Sequence, residues 1–319
     1  MTPQPREISV TLPVGQAIDR VRKVLFQPFD IGRWFVIGFC AWLACLGEGG
    51  GFPGSFHYGG HRGHGRQSIR EGLEQARDYV VHNIAWIAPL VIALILVGLS
   101  VWVVVMWLSS RGRFMFLHCV ALNTAEVRAP WARFAPAANS LFLFRLVISL
   151  VSLVVMFPLA GGLLLVVLRM AFREAVSPGG LLLAGVFVLA MIAVGIGFWI
   201  IGRLTTDFVV PLQFLRRSRC LDAWRELGGL LRGNLGNLVL YFLFRIVLAI
   251  AIIAVMVGAV LVTCCLAGCL FALPYVGTVF LLPILVFERA YSLHYLAQFG
   301  PDYDAFSPPP TSVSGAPPA

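Results

Sequence analysis

Charged side chains are scarce in this chain of 319 residues. Asp, Glu, Lys and Arg together make up 12% of the residues, whereas hydrophobic residues make up 59%. An ordinary soluble domain carries about 25% charged residues, because its surface faces water. The composition therefore excludes an ordinary soluble domain and indicates an integral membrane protein.

The sequence also lacks the arrangements that support nucleic-acid binding or catalysis. Its net charge is +9, but Lys and Arg are scattered between apolar segments and form no basic face with interleaved aromatic residues. There is no Ser/His/Asp set, no paired carboxylates and no glycine-rich phosphate loop after a strand. We therefore expect no nucleic-acid partner, no cofactor and no enzymatic activity.

The seven cysteines form no pair of C-x-x-C motifs. Five of them lie in or at the ends of apolar runs, where Cys packs as a small hydrophobic side chain. We predict no disulfide. The group Cys264, Cys265 and Cys269 leaves a metal or redox site open as an alternative.

Long apolar runs extend along nearly the whole chain. A helix needs about 20 residues to cross a hydrocarbon core of about 30 Å, and five runs reach that length. They are Ile84 to Leu108, Leu141 to Leu168, Gly180 to Gly202, Leu235 to Val262 and Gly268 to Phe287, with a turn near Thr263 to Ala267. A shorter run, Arg33 to Gly47, supplies a sixth span as a tilted or partly interfacial helix. The predicted fold is an all-α integral membrane bundle of about six transmembrane helices.

Lys and Arg are unevenly distributed between alternate connections of this bundle. With the N-terminus inside, sixteen fall on the inner side and six on the outer side. Cytoplasmic connections carry the excess of positive charge in multi-pass membrane proteins. Arg also outnumbers Lys by 23 to one, which is typical of GC-rich bacterial genomes. We expect a bacterial inner-membrane protein with both termini in the cytoplasm.

Several features recur along the sequence. FLFRLVISL at 142–150 is echoed by FLFRIVLAI at 242–250, and FVVPLQFLRR at 208–217 by FLLPILVFER at 280–289. Arg-containing amphipathic segments precede spans one, three and five, as expected of interfacial helices. We interpret these features as three parallel repeats. Each has an inner interfacial helix and two spans, at about 15–118, 119–219 and 220–299, and a disordered Pro-rich tail follows at 300–319.

The echoed segments each place one arginine inside an apolar run. Arg145 and Arg245 occupy the same position of the FLFR segment, and Arg33 takes that position in the first repeat. Each would lie in the first turns of an outward span, where its guanidinium group can reach lipid phosphates. This position predicts anchoring at the cytoplasmic surface. The alternative is a buried cluster of these arginines that binds an anionic lipid or solute.

A solute path is a further possibility for polar residues near the spans. Such a path would gather five of them around one cavity, namely Arg145, Arg169, Arg203, Asp207 and Arg245, whereas a scaffold would spread them over the surfaces. Glu48, Glu174 and Glu288 also lie at predicted span ends. Broken helices frame many transporter sites, and we expect kinks or interruptions at Pro158, Pro274 and Pro283.

The connection after the first span is rich in glycine and contains three histidines. His57, His61 and His64 follow H-x-x-x-H-x-x-H spacing, which could gather a metal ion through neutral imidazole groups. Glycine-rich connections are also ordinary flexible spacers. We therefore predict no preorganised metal site here, with these three residues as the candidates if one exists.

Several stretches resemble a known family. LFQPFDIGRWFVIGFCAWLACLGEGGG, RGRFMFLHCV, FLFR and FGPDYD look like a bacterial family of multi-pass membrane proteins of unknown function. The two-span repeat is more distantly similar to the membrane domain of glycerophosphoryl diester phosphodiesterases. The catalytic domain of those enzymes has no counterpart here, so the resemblance implies a membrane bundle without their chemistry.

Two functions of different class follow from these features. The first is a non-enzymatic scaffold or lipid-interacting bundle whose inner helices and arginines bind anionic headgroups of membrane lipids. The second is a transporter of a small solute or lipid, and an intramembrane enzyme comes third.

Overall fold

A computed structural model describes residues 8–46, 79, 82–172, 177–263 and 273–306. Over these residues the chain is helical and contains no strand. We number the α-helices in chain order. They are α1 (Leu12–Val21), α2 (Ile31–Cys45), α3 (Ile84–Leu122), α4 (Arg128–Arg133), α5 (Ala135–Phe172), α6 (Pro178–Leu204), α7 (Val210–Arg216), α8 (Cys220–Arg232), α9 (Leu235–Val262), α10 (Pro274–Phe280) and α11 (Leu282–Ala297).

Four helical stretches among the described residues are long and apolar enough to cross a membrane. They are Ala85–Leu122, Ala135–Met170, Pro178–Arg216 and Leu235–Val262. Their most apolar parts are almost entirely unburied by the protein itself, with large aliphatic side chains on the surface. Such a surface is stable only against lipid, because exposing it to water costs about 25 cal/mol per Å². The chain is therefore a membrane protein with four span-capable helices.

These four stretches coincide with predicted spans, whereas the other two predicted spans differ. The helix α9 has the predicted bounds, and α3, α5 and α6 extend beyond theirs. The helix α2 has 15 residues, about 22 Å, which is shorter than a hydrocarbon core. The last predicted span is divided, since α10 ends at Phe280 and α11 begins at Leu282.

The helix α2 packs against the end of α3 that lies beyond its most apolar part. Ser109 Oγ donates to the Ala44 carbonyl at 2.9 Å, and Arg33 donates to the Asn123 carbonyl at 2.9 Å. These two contacts make the helices antiparallel and place α2 beside residues 109–123. The predicted first span therefore lies next to the less apolar half of its neighbour.

A compact base joins this half of α3 to the other helices. It contains α1, α2, the start of α5, α7, α8, the start of α9 and α11, and its buried residues form one hydrophobic core. Tyr241, Tyr291 and Tyr295 are its largest fully buried side chains. We call this part the base and the exposed apolar parts of α3, α5, α6 and α9 the spans.

Glycine permits the close approach of α2 and α3. A Cβ atom added to Gly112 would lie 2.5 Å from the Ala44 nitrogen and 2.5 Å from the Leu43 carbonyl carbon. Both atoms are backbone, so no side-chain rotation would relieve the overlap. Small residues allow helices to pack backbone to backbone in this way.

The prolines interrupt helices at only some of the expected places. Pro158 lies inside α5, which continues from Ala135 to Phe172, while Pro274 and Pro283 lie in the first turns of α10 and α11. Proline is tolerated in a first turn because that turn has no intrahelical use for its N–H. The interruption near Pro283 is therefore as predicted, and Pro158 does not end its helix.

The amphipathic segment that precedes the fifth predicted span, Cys220 to Leu231, forms the helix α8. Its Ala223 and Leu227 are buried in the base, whereas Leu221 is exposed. Part of its apolar face thus packs against protein, and an interfacial position of the helix stays a prediction. The predicted Pro-rich tail lies outside the described residues from 307 onward.

Candidate functional site

Each of the four long helical stretches brings an arginine to the boundary between base and spans. Arg113 is on α3, Arg145 on α5, Arg203 on α6 and Arg245 on α9. Arg145 and Arg245 each lie ten residues after the first residue of their helix, about 15 Å along the axis. Arg289 of α11 joins them. Two adjoining cavities lie between these residues.

The larger cavity has a volume of about 680 Å³ and is amphipathic. Its polar lining includes Arg113, Arg145 and Arg203, with hydroxyl groups from Ser149 and Thr206. Its apolar lining comes from the span parts of three helices and includes Trp102, Phe144, Ile148, Phe198 and Trp199. Trp102 and Trp199 are 42% and 51% exposed, so this side of the cavity adjoins the lipid-facing surface.

The smaller cavity has a volume of about 80 Å³ and lies among more deeply buried groups. Arg245 is 6% exposed, Arg289 7% and Asp207 4%. The two cavities share part of their lining, including Arg113, Arg203, Thr206 and Glu288. Only the smaller one is lined by Arg245, Arg289, Asp207 and Ala44, and only the larger one by Arg145.

Two carboxylates, those of Glu288 and Asp207, lie on the same wall of the smaller cavity as Arg245. Arg245 Nη2 lies 3.5 Å from Glu288 Oε1, and Arg245 Nη1 donates to the Glu288 carbonyl at 3.4 Å. The Tyr241 hydroxyl donates to Asp207 Oδ2 at 3.1 Å. Buried charges are costly unless they are paired and hydrogen-bonded, and these contacts fix the groups on one wall.

Hydroxyl and carbonyl oxygens orient the other arginines. Arg113 Nη1 donates to Thr206 Oγ1 at 2.8 Å, and Arg289 Nη1 donates to the Thr206 carbonyl. Arg145 Nη1 lies 3.2 Å from both Ser109 Oγ and Ser110 Oγ. Hydrogen bonds that involve a charged guanidinium group are short and directional. These contacts therefore hold the three arginines in place beside the cavities.

The lining carries an excess of positive charge. Five arginines and two carboxylates give a formal charge of +3 among the described lining residues. The described part of the lining is therefore cationic by formal charge.

A π-helical turn sets the position of Asp207. Residues Thr205–Val209 form this turn between α6 and α7, and Thr205, Asp207, Phe208 and Val209 are buried. A π-turn rotates the following side chains relative to a regular α-helix, and such turns occur frequently at functional sites. Here the turn lies at the cavities, with Thr206 donating to the Gly202 carbonyl at 3.0 Å.

The structure brings together only some of the residues that the sequence singled out. Arg145, Arg203, Asp207 and Arg245 line the cavities. Arg33 lies in the base, where it contacts the Asn123 side chain at 3.1 Å and the carbonyl of the same residue. Arg169 is exposed on α5, 24 residues or about 36 Å from Arg145 along the helix. His57, His61, His64, Cys264, Cys265, Cys269 and Glu174 lie outside the described residues.

Arg245 differs from the expectation of simple surface anchoring. It is buried and contacts Glu288, whereas an anchoring arginine would need no protein partner. Sequence reasoning did not select Arg113 or Arg289 as site residues, because each resembles the ordinary positive flank of a span. The available signal was their position, since both lie within a few residues of the end of an apolar run.

The comparisons with known proteins identify a family but no activity. No curated protein matches the chain, and no solved structure matches it. They show no link to glycerophosphoryl diester phosphodiesterases. One family model matches residues 9–282, nearly the whole chain. The chain therefore belongs to DUF7544, a family of unknown function.

Proposed function

We propose that this protein binds an anionic amphiphile, a membrane lipid or lipid-like molecule, without catalysing a reaction on it. Its headgroup would contact the arginines of the two cavities, and its apolar chain would lie along the spans. The observation that carries this proposal is the convergence of arginines from all four long helices on one pair of cavities.

The chemistry of arginine favours binding of an anionic headgroup over a role in packing alone. Each arginine at membrane depth costs about 2.5 kcal/mol or more unless its charge is satisfied. Its planar guanidinium group makes paired hydrogen bonds to phosphate or carboxylate. Five such groups converge on the two cavities, together with the carboxylates of Asp207 and Glu288. An anionic headgroup would make hydrogen bonds of this kind to several of them.

The shape of the larger cavity supports an amphiphile rather than a fully polar ligand. Its volume lies within the range of about 300–1,000 Å³ that small-molecule sites occupy. Arginines line one part, and Trp102, Phe198 and Trp199 line another that adjoins the lipid-facing surface. A lipid entering sideways from the membrane would meet apolar contacts first and the arginines afterwards.

Carriage of a small anionic solute is the second candidate. Four of the five residues expected along a solute path, namely Arg145, Arg203, Asp207 and Arg245, line the cavities. Arg169, the fifth, is remote from them. The four residues that do line the cavities lie together at the boundary between base and spans, which favours a binding site over a continuous path.

The membrane arrangement that accompanies this proposal is the one predicted from the sequence. It comprises about six spans in three parallel repeats, in a bacterial inner membrane with both termini in the cytoplasm. Its support is the excess of Lys and Arg on one side and the equal positions of Arg145 and Arg245 in α5 and α9. In this arrangement the cavities face the inner leaflet.

Native mass spectrometry of the detergent-purified full chain tests lipid binding. We would compare phosphatidylglycerol with phosphatidylcholine in wild type and in Arg145→Gln combined with Arg203→Gln. Arg245 is left intact, because its removal would take away the cation beside the buried Asp207 and the partly buried Glu288. Arg169→Gln is the matched control, since it removes the same charge from α5 at an exposed position.

We expect wild type and Arg169→Gln to retain phosphatidylglycerol in preference to phosphatidylcholine. The double variant should lose roughly tenfold or more in affinity for phosphatidylglycerol, because two charge-assisted contacts disappear. Equal retention of both lipids by wild type would contradict the proposal. So would equal losses in the double variant and in Arg169→Gln.

A further inference from the structure

Two tryptophans hold an arginine on the side of α3 that faces away from the two cavities. We propose that Arg111, with Trp107 and Trp131, forms a second lipid site, which binds the phosphate of an anionic phospholipid of the surrounding leaflet. This site goes beyond the proposed function, because it uses none of the described residues that line the cavities.

The Arg111 guanidinium group lies in a corner between two indole rings. Its central carbon is 4.5 Å from the ring centroid of Trp107 and 4.8 Å from that of Trp131. The two rings meet edge to face, with centroids 5.9 Å apart and an interplanar angle of 85°. A cation above an indole ring is attracted to the negative face of that ring. The two rings, one from α3 and one from α4, therefore fix the position of the guanidinium group. We call these three side chains the corner.

The hydrogen-bond donors of Arg111 have no acceptor among the described residues. Its Nε is buried and unpartnered, and its Nη groups form no hydrogen bond or ion pair with the part of the chain that the structure describes. Arg113 and Arg145, by contrast, donate to hydroxyl oxygens. Guanidinium donors form paired hydrogen bonds with the oxygens of a phosphate. The rings thus hold Arg111 in place while its Nη groups stay available to such a ligand.

The corner lies at the level where the span of α3 ends. The apolar run that begins at Ile84 contains no charged residue before Arg111, and Trp107 lies in its last turn. Tryptophan is enriched where the hydrocarbon of a membrane meets the headgroups. An arginine one turn further along reaches the phosphates. This level identifies the ligand as the headgroup of a lipid rather than an anion from solution.

Arg111 and the cavities lie on opposite sides of α3. Arg113, which lines both cavities, follows two residues later, and successive residues of an α-helix are rotated by about 100°. The two arginines therefore point about 200° apart. Trp107, Arg111 and Trp131 are all partly exposed. A lipid can thus approach the corner from the surrounding leaflet without entering the cavities.

The corner favours an anionic headgroup over a zwitterionic one. Both kinds of headgroup carry a phosphate, but a choline group binds best over an aromatic face. Arg111 already occupies the space between the rings of Trp107 and Trp131. Arg128, exposed one turn before Trp131 on α4, would repel a headgroup cation. Phosphatidylglycerol carries the phosphate without such a cation.

Native mass spectrometry of the detergent-purified full chain tests this site. The probes are phosphatidylglycerol, phosphatidylcholine and water-soluble glycerol phosphate, and the variants are Arg111→Gln and Trp131→Leu. The first removes the donors and the charge, and the second keeps the charge but removes one wall of the corner. Arg232→Gln is the matched control, since Arg232 is exposed on α8 and has no ring contact or ion pair within the described residues.

Each variant is also combined with Arg145→Gln and Arg203→Gln, which test the cavities. Lipid binding that remains in this combined background depends on groups other than those two arginines. Effects at independent sites add, so the comparison separates the corner from the proposed function. The thermal midpoint of each protein in detergent establishes that it is folded.

We expect wild type to prefer phosphatidylglycerol to phosphatidylcholine and to bind glycerol phosphate roughly tenfold or more weakly, because glycerol phosphate has no apolar chains. Arg111→Gln should lower the affinity for phosphatidylglycerol roughly tenfold in both backgrounds, since a charge-assisted contact is lost. Trp131→Leu should lower it roughly threefold, because one cation–π contact is lost. Arg232→Gln should leave it unchanged.

Equal affinities of Arg111→Gln and Arg232→Gln for phosphatidylglycerol would overturn the inference and leave the proposed function standing. Unchanged binding by Trp131→Leu would also overturn it, as would binding of glycerol phosphate as tight as that of the lipid. If Arg111→Gln weakens lipid binding and the cavity variant does not, this inference holds and the proposed function fails. Trp131→Leu and the glycerol phosphate comparison decide the matter even if Arg111→Gln fails to fold.

Discussion

His294 is a partly buried histidine of the base, and its surroundings shift its pKa. His294 on α11 stacks against Phe306, with ring centroids 4.2 Å apart, and the Arg20 guanidinium lies 4.8 Å from the same Phe306 ring. Burial, with a smaller contribution from the Arg20 charge, lowers the pKa of His294 to about 4 from 6.5. His294 is therefore neutral at pH 7 and packs as an aromatic side chain between the first and last parts of the chain.

This low pKa predicts how stability depends on pH. Between pH 6.5 and pH 4 the unfolded chain binds a proton at His294 that the folded chain does not, so the free energy of unfolding falls as pH falls through this window. We expect the thermal midpoint in detergent to drop more between pH 7 and pH 5 for wild type than for His294→Gln. An identical pH dependence of the two proteins would contradict this assignment.

Helix packing depends on one close contact between α2 and α3. A methyl group at Gly112 would overlap the backbone of Leu43 and Ala44, so Gly112→Ala must push the helices apart. We expect this change to destabilise the protein by about 1–3 kcal/mol, the usual cost of overpacking. The thermal midpoint in detergent measures the loss.

Gly98 provides the matched control within the same helix. A Cβ atom added at Gly98 would meet nothing within 4 Å. Gly98→Ala should therefore leave the midpoint unchanged or raise it slightly, because alanine favours the helix. If Gly112→Ala and Gly98→Ala shift the midpoint alike, the close approach of α2 and α3 is not a determinant of stability.

The helices themselves were largely predictable from sequence, but their mutual arrangement was not. An uninterrupted apolar run sets the bounds of a helix, and α9 begins and ends at the predicted Leu235 and Val262. The site depends instead on the rotation of each helix about its axis. No periodicity marks that rotation in α9, because nearly every side chain around Arg245 is apolar. The sequence therefore predicted the position of Arg245 along the helix axis, but not the direction in which its side chain points.

The molecule consists of the spans, which expose apolar side chains, and the base, which buries a hydrophobic core. The two cavities lie at the boundary between them. The spans of α3, α5, α6 and α9 expose aliphatic side chains, while the base buries a continuous core. Arg113, Arg145, Arg203 and Arg245 lie at this boundary. This division fixes a single level for the site, so an amphiphile would bind with its headgroup toward the base.

The number of crossings decides which side of the membrane carries residues 47–78. If α2 crosses, as the six-span arrangement requires, these residues lie outside while both termini lie inside. Whether α2 crosses is the first topological question to test, because α2 is short and lies beside residues 109–123 of α3. A small epitope inserted at Gly63 and another at the C-terminus provide that test.

We expect an antibody to label the Gly63 epitope on cells whose outer membrane alone has been permeabilised. The C-terminal epitope should be labelled only after the inner membrane is opened as well. This result would place α2 across the membrane and the cavities at the inner leaflet. If the Gly63 epitope were protected until both membranes were opened, α2 would belong wholly to the base, and the six-span arrangement would be wrong. The cavities would keep their lining in either case, because α2 contributes to them through Ala44 and Cys45, whichever side its end faces.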